Sequence, residues 1–157
     1  MKLLLTCLLG SSLFLFSACK PQDQKLITKV QGEINTRQGE LGHYASVGAS
    51  LEKFQRELET TFPSQENAPA DSLKIKANAM VNKEKSALAE YKEGLTDLTN
   101  RLAEYQAGKA KKDALELEYV VANTSLGNMK QTFAILERQD LLMRTELDQR
   151  LRKPAAR

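Results

Sequence analysis

Few residues in this chain can carry out chemistry. Its 157 residues include one histidine, His43, and two cysteines, Cys7 and Cys19. Glu40 and His43 stand three apart, which sets a carboxylate and an imidazole on one helix face, as helical bundles do when they hold paired metals. Such a site needs a second pair and two more carboxylates. With no second histidine, a metal-binding bundle built on Glu40 and His43 would have to be completed across a symmetric dimer. A Ser-His-Asp or Cys-His nucleophile would also depend on His43. Catalysis by two carboxylates requires a concave site around the substrate. The sequence has no P-loop, dinucleotide fingerprint or zinc spacing. The expectation is a non-catalytic protein without metal or cofactor.

Charge narrows the partners. The net charge is +3 and the pI about 8.8, with acids and bases interspersed along the chain. That is too mild and too mixed for a nucleic-acid footprint. One local bias exists near the C-terminus, where Arg144, Arg150, Arg152, Lys153 and Arg157 outnumber Glu146 and Asp148. It reads either as a solvated helix end whose cations complement the dipole, or as a contact for an anionic polymer or lipid phosphate.

The 41% hydrophobic composition averages two different regions. Twelve of the first eighteen residues are apolar, while from residue 19 onward the share is roughly 37%. Met1-Lys2 gives a positive start, Leu3 to Phe16 an apolar run, and Ser17-Ala18 small residues before Cys19. A charged start, an apolar run and a small-residue cleavage site define a secretory signal, here residues 1–18. The run is shorter than the ~20 apolar residues a spanning helix needs.

Phe16-Ser17-Ala18-Cys19 resembles the lipobox of bacterial lipoproteins, with Phe16 where leucine is commoner. The resemblance implies cleavage between Ala18 and Cys19, and diacylglyceryl plus amide-linked acyl chains on Cys19 as the only covalent cofactor. It also implies, through Lys20 in place of an inner-membrane-retaining Asp, an outer-membrane position facing the periplasm. Cysteine usage agrees, because Cys7 would leave with the signal and a lone secreted thiol has no internal partner. Residues 19–22 would then be a very short tether.

The rest must supply shape. Over about 23–62, Ile27, Val30, Ile34, Leu41, Tyr44, Leu51, Leu58 and Phe62 recur at three- and four-residue steps, with Gly48 and Gln55 in the same stripe and Arg37 interrupting it. That is a coiled-coil-like repeat. Gly32, Gly39, Gly42 and Gly48 weaken it by about 1 kcal/mol each; they either admit a neighbouring helix closely or bend the helix. A continuous helix with a mobile middle is the reading adopted. Phe62 to Asp71 carries two prolines and reads as a loop. A second helix spans about 72–106, capped by Asp71 or Ser72, with Ala77, Val81, Leu88, Tyr91, Leu95, Leu98, Leu102 and Tyr105 in register and Glu84 the one intrusion. A third spans about 110–152, through Leu115, Tyr119, Ala122, Leu126, Met129, Phe133, Leu136, Met143 and Leu147.

The turn between them is expected at Gly108, which leaves three matched helices, each on the order of 60 Å; Asn123 to Asn128 is the rival turn. The fold expected is all-α: an elongated, antiparallel three-helix bundle over 23–153 with coiled-coil-like heptad packing, followed by a tail at 154–157. So thin a bundle encloses little ligand volume. The function expected is that of a lipid-anchored envelope protein acting by protein–protein contact as spacer, adaptor or assembly factor. The alternative is a periplasmic chaperone-like or pilotin-like escort. Partners would be the membrane, an envelope protein or peptidoglycan, with no nucleic acid; homo-oligomers are compatible. In an up-down-up bundle the basic C-terminus lies far from the anchored end.

Overall fold

A computed structural model describes residues 21–63 and 68–149. They form three helices and, among the described residues, no strand: α1 (Pro21–Thr61), α2 (Ala68–Gln106) and α3 (Lys112–Leu147). The helices pack as an all-α antiparallel bundle, α2 lying against both α1 and α3 and the α1–α3 seam being the sparsest. Their 41, 39 and 36 residues give lengths of about 54–62 Å. Residues 1–20, which hold the expected signal segment and Cys19, residues 64–67 and residues 150–157 lie outside the described residues.

All three helix starts differ from the sequence expectation, α3 opening at Lys112 and not at about 110. α1 begins at Pro21, because proline suits a first helical turn, where its missing N–H has no intrahelical partner to lose. For the same reason Pro69 opens α2 instead of ending a loop: the helix starts at Ala68, four residues before the expected start. Asp71 and Ser72 are therefore not its cap. Asp71 lies in the first turn, where its charge complements the dipole and its Oδ1 accepts from Lys74 Nζ at 3.2 Å.

Gly108 makes the second turn. Its φ of +71° is the left-handed value that glycine adopts without steric cost. Gly108 N–H donates to Tyr105 O at 3.0 Å and Lys109 N–H to Glu104 O at 2.8 Å, satisfying the last carbonyls of α2. Asn123 to Asn128, the competing turn, lies within α3. Gly108→Ala is expected to lower the unfolding free energy by about 1 kcal/mol, measured by urea denaturation.

The core is one continuous seam. Val30, Ile34, Tyr44, Leu51 and Leu58 of α1 are buried, as their spacing requires. Val47 and Phe54 are buried as well, whereas Gln55, expected in the stripe, is only half-buried. A straight helix turns 3.6 residues, not 3.5, so the buried face drifts by about a residue over several heptads. α2 faces two neighbours and accordingly buries two adjacent rows, adding Leu73, Met80 and Ala87 to the expected stripe.

The α1 glycines separate into two kinds. A methyl group at Gly32, Gly39 or Gly42 would meet nothing within 4 Å. These positions face open space, and the helix runs through them unbroken. Gly39→Ala is therefore expected to raise stability by about 1 kcal/mol through helix propensity alone, read as a shift in the denaturation midpoint. At Gly48, by contrast, a methyl group would lie 2.6 Å from the carboxyl carbon of Glu84. Close approach explains this glycine only.

Candidate functional site

The bundle places polar side chains at three levels of its seam. The first level is built on Glu40, one helical turn below Tyr44. Glu40 Oε2 accepts from Tyr91 Oη at 2.8 Å, from Tyr44 Oη at 3.1 Å and from Arg37 Nη1 at 3.3 Å, while Oε1 accepts from Lys130 Nζ at 2.7 Å. All three helices contribute. Tyr44 also stacks on Phe133 with ring centroids 4.0 Å apart and meets Tyr91 edge-on at 5.0 Å. Arg37 continues the layer to Asn123 Oδ1 at 3.1 Å and back to Glu33 Oε1 at 2.6 Å. Partial burial would push the Glu40 carboxyl up, but the hydrogen bonds from Lys130, Tyr91 and Tyr44 outweigh it and hold the group down at about 2. Burial and the bond to Glu40 push the Tyr44 phenol up to about 12, and the Tyr91 phenol shifts upward for the same reasons. Both phenols stay protonated and act as fixed donors.

At the second level is Glu84, 3% exposed in a heptad core position, its carboxyl set against the bare Cα of Gly48. Its Oε1 finds no hydrogen-bond partner among the described residues. Desolvation, with help from Glu52, raises its pKa; Lys85 and Lys92 act against the shift without reversing it. The third level joins α1 to α3. Asp140 is 8% exposed; its Oδ2 accepts from Ser50 Oγ at 2.7 Å and both its oxygens accept from Arg144 Nε at 3.1 Å. Arg144 Nη2 donates to Ser50 O at 2.8 Å, its guanidinium covers the Phe54 ring at 4.8 Å, and Glu57 is 3.9 Å away.

Of the C-terminal cations expected to contact an anionic polymer, only Arg144 lies among the described residues. It joins α3 to α1, its Nε donating to Asp140 and its Nη2 to the backbone of Ser50. Arg150, Arg152, Lys153 and Arg157 lie outside the described residues, as do Ala18 and Cys19. Arg144→Ala is expected to cost about 1–2 kcal/mol by leaving the Asp140 carboxylate underpaired. Thermal unfolding would read it, and the double variant with Asp140→Ala should cost less than the sum of the two.

Glu40 and His43 do not converge despite their spacing. The oxygens of Glu40 are taken by four donors within the bundle, while His43 is exposed and its Nε2 lies 3.8 Å from Glu137 Oε2. Among the described residues no three His, Cys, Asp or Glu side chains gather as a metal site would need. Asp140 escaped the sequence reading. Its signal was available, because it fills the vacant step between Leu136 and Met143 in the α3 stripe.

The surface adds a feature that periodicity did not disclose. Leu117, Val120, Val121, Ile135, Leu141 and Leu142 of α3 are half or more exposed, as is Ile75 of α2. Leu141 lines an open groove of about 600 Å3 between α1 and α3, together with Ser46, Val47, Glu137 and Arg138. Leu142 lines another, of about 440 Å3, between α2 and α3. No described helix is long and apolar enough to cross a membrane. Fold and site together define a three-helix bundle with a polar-studded core and an interrupted outer ridge on α3, whose two apolar stretches are separated by the exposed Asn123, Thr124, Asn128, Lys130 and Gln131. No protein family, curated protein or solved structure matches the chain.

Proposed function

We propose that this protein is a lipid-anchored helical envelope protein that acts by protein–protein contact, as a spacer, adaptor or assembly factor, without catalysis. The observation that carries the reading is the interrupted ridge of exposed apolar side chains on α3, Leu117, Val120 and Val121 in one stretch and Ile135, Leu141 and Leu142 in the other. Exposed apolar area on a soluble surface marks a place for a partner, and a bundle helix offers it in the form that receives another helix. Anchoring rests on the lipobox-like Phe16-Ser17-Ala18-Cys19, and Lys20, in place of an inner-membrane-retaining Asp, favours the outer membrane. Photo-crosslinkers at Ile135 and Leu142 in cells test the contact. One defined membrane-complex subunit is the expected product, and no adduct at either position refutes the reading.

The same ridge also suits a second reading, an escort or chaperone-like protein for envelope clients. Many adducts of different mass, together with suppression of aggregation of a model client by the unlipidated chain, would favour it. Replacement of Cys19 by Ser tests the anchor itself, and should abolish lipid labelling and release the chain from the membrane.

A further inference from the structure

The antiparallel path returns the start of α3 to the start of α1. Lys112 Nζ lies 4.0 Å from Asp23 Oδ1, and Lys29 Nζ sits over the Tyr119 ring at 4.6 Å. The Gly108 turn is therefore at the same end as the first turn of α1. Three further lysines stand exposed there: Lys25 on α1, and Lys109 and Lys111 in the turn. None of the three is ion-paired among the described residues, whereas Lys112 is shared between Asp23 and Glu116. The acids at this end are Asp23 and Glu116, both facing Lys112, Glu104, held by Arg101 at 2.7 Å, Asp97 and Glu118, which share a cleft with Glu104, and the exposed Asp113 on α3. Apart from the lysines the turn carries only Ala107, Gly108 and Ala110, so it brings no bulky side chain of its own beside the charges.

We propose that this end of the bundle is a contact surface for anionic phospholipid headgroups, so that the three helices stand on the bilayer instead of lying along it. The proposal rests on the lipid-anchor reading of Cys19. Lys20 alone separates that cysteine from Pro21, the first residue of α1. Two residues span at most about 7 Å, comparable with the roughly 5–8 Å depth of one headgroup layer. Neighbouring helix axes are about 8–10 Å apart, so an upright bundle brings the turn lysines to the same depth as the anchor. There they lie within the ~8 Å screening length of physiological salt. The fold thus converts one anchor into a two-point attachment and fixes the tilt at which the α3 ridge is presented.

The test tethers residues 19–157, with Cys19→Ser and an N-terminal His tag, to vesicles containing nickel-chelating lipid. The vesicles are otherwise phosphatidylcholine, or phosphatidylcholine with about 30% phosphatidylglycerol as the anionic lipid. A fluorophore is placed at Ala110→Cys or, at the opposite end of the bundle, at Pro63→Cys, and headgroup-borne quencher reports proximity. The expected result is stronger quenching at 110 than at 63 on the anionic vesicles, with the difference lost in about 1 M salt, where the screening length is about 3 Å. Each lysine should favour the anionic surface by about fivefold, so the triple variant Lys25→Gln, Lys109→Gln, Lys111→Gln should lose the preference. Equal quenching at the two positions, stronger quenching at 63, or a preference unchanged in the triple variant overturns the proposal. Metabolic palmitate labelling of the wild type against Cys19→Ser is the separate arm. Its failure removes the anchor reading and leaves the vesicle result standing by itself.

Discussion

Glu84→Met is expected to raise the unfolding free energy at pH 7 by about 2 kcal/mol, because replacing a buried charge by an apolar side chain of similar length removes a desolvation cost that nothing repays. Glu84 is 3% exposed, its Oε1 is unpartnered among the described residues, and Lys85 and Lys92 oppose the rise in its pKa without reversing it. Methionine is flexible enough to occupy the same space over Gly48. The pH dependence carries the sign. A carboxyl whose folded pKa is raised above 4.5 binds its proton more readily in the folded state. Its contribution is therefore most favourable below pH 4.5 and is lost as pH rises through the folded value. The advantage of the Met variant should accordingly grow from about pH 4.5 upward, and urea denaturation across that range measures it. A gain that is the same at every pH would show that the carboxyl is not the cause.

The same contact predicts a coupling. Gly48→Ala should gain about 1 kcal/mol of helix propensity in a Glu84→Ala background. In the wild type most of that gain should be lost, because the new methyl must displace a buried carboxyl. A double-mutant cycle isolates the difference.

Glu40→Ala should have the opposite sign and a larger size, a loss of about 3 kcal/mol at pH 7. The variant strips one acceptor from Tyr44, Tyr91, Arg37 and Lys130 together. Hydrogen bonds to a charged group are the stronger kind, and Tyr91, with no exposure, would keep only a 3.3 Å contact to Arg37 O. Because the Glu40 carboxyl is lowered to about 2 from 4.5, its contribution is fully present above pH 4.5 and is lost as pH falls toward 2. Glu84 and Glu40 together therefore place their joint optimum near pH 4.5. Acid titration of the Glu40→Ala variant should lack the steep loss of the wild type below that value. Tyr91→Phe offers a milder check, expected to cost about 1–2 kcal/mol while leaving the aromatic packing on Tyr44 and Phe133 in place.

Much of the architecture was legible in the residues themselves. Helix number, approximate length and antiparallel order followed from the apolar stripes and from two breaks, one rich in proline and one holding Gly108. These are local properties: periodicity states which face is apolar, and a glycine in a lysine-rich turn states where the chain can reverse. Glu84 was visible as an intrusion in the α2 stripe, and Glu40 with His43 as a spacing that could hold metal. The significance of each was not visible. A spacing of three fixes a shared helix face only within about 60°, which was enough to turn Glu40 inward to two tyrosines and leave His43 in solvent.

Arg144 marks the boundary most clearly. By sequence it belongs to a run of cations near the C-terminus. In the bundle it crosses to α1, because Asp140, one turn before it, is drawn into the seam and requires a countercharge. The same holds for the α1 glycines, alike in sequence yet divided by whether α2 brings a side chain against them. The residue pattern alone determined three helices and their reversal points. Only the tertiary structure decided which polar groups were buried against which, since burial and pairing depend on the two helices opposite a residue and not on its own neighbours in the chain.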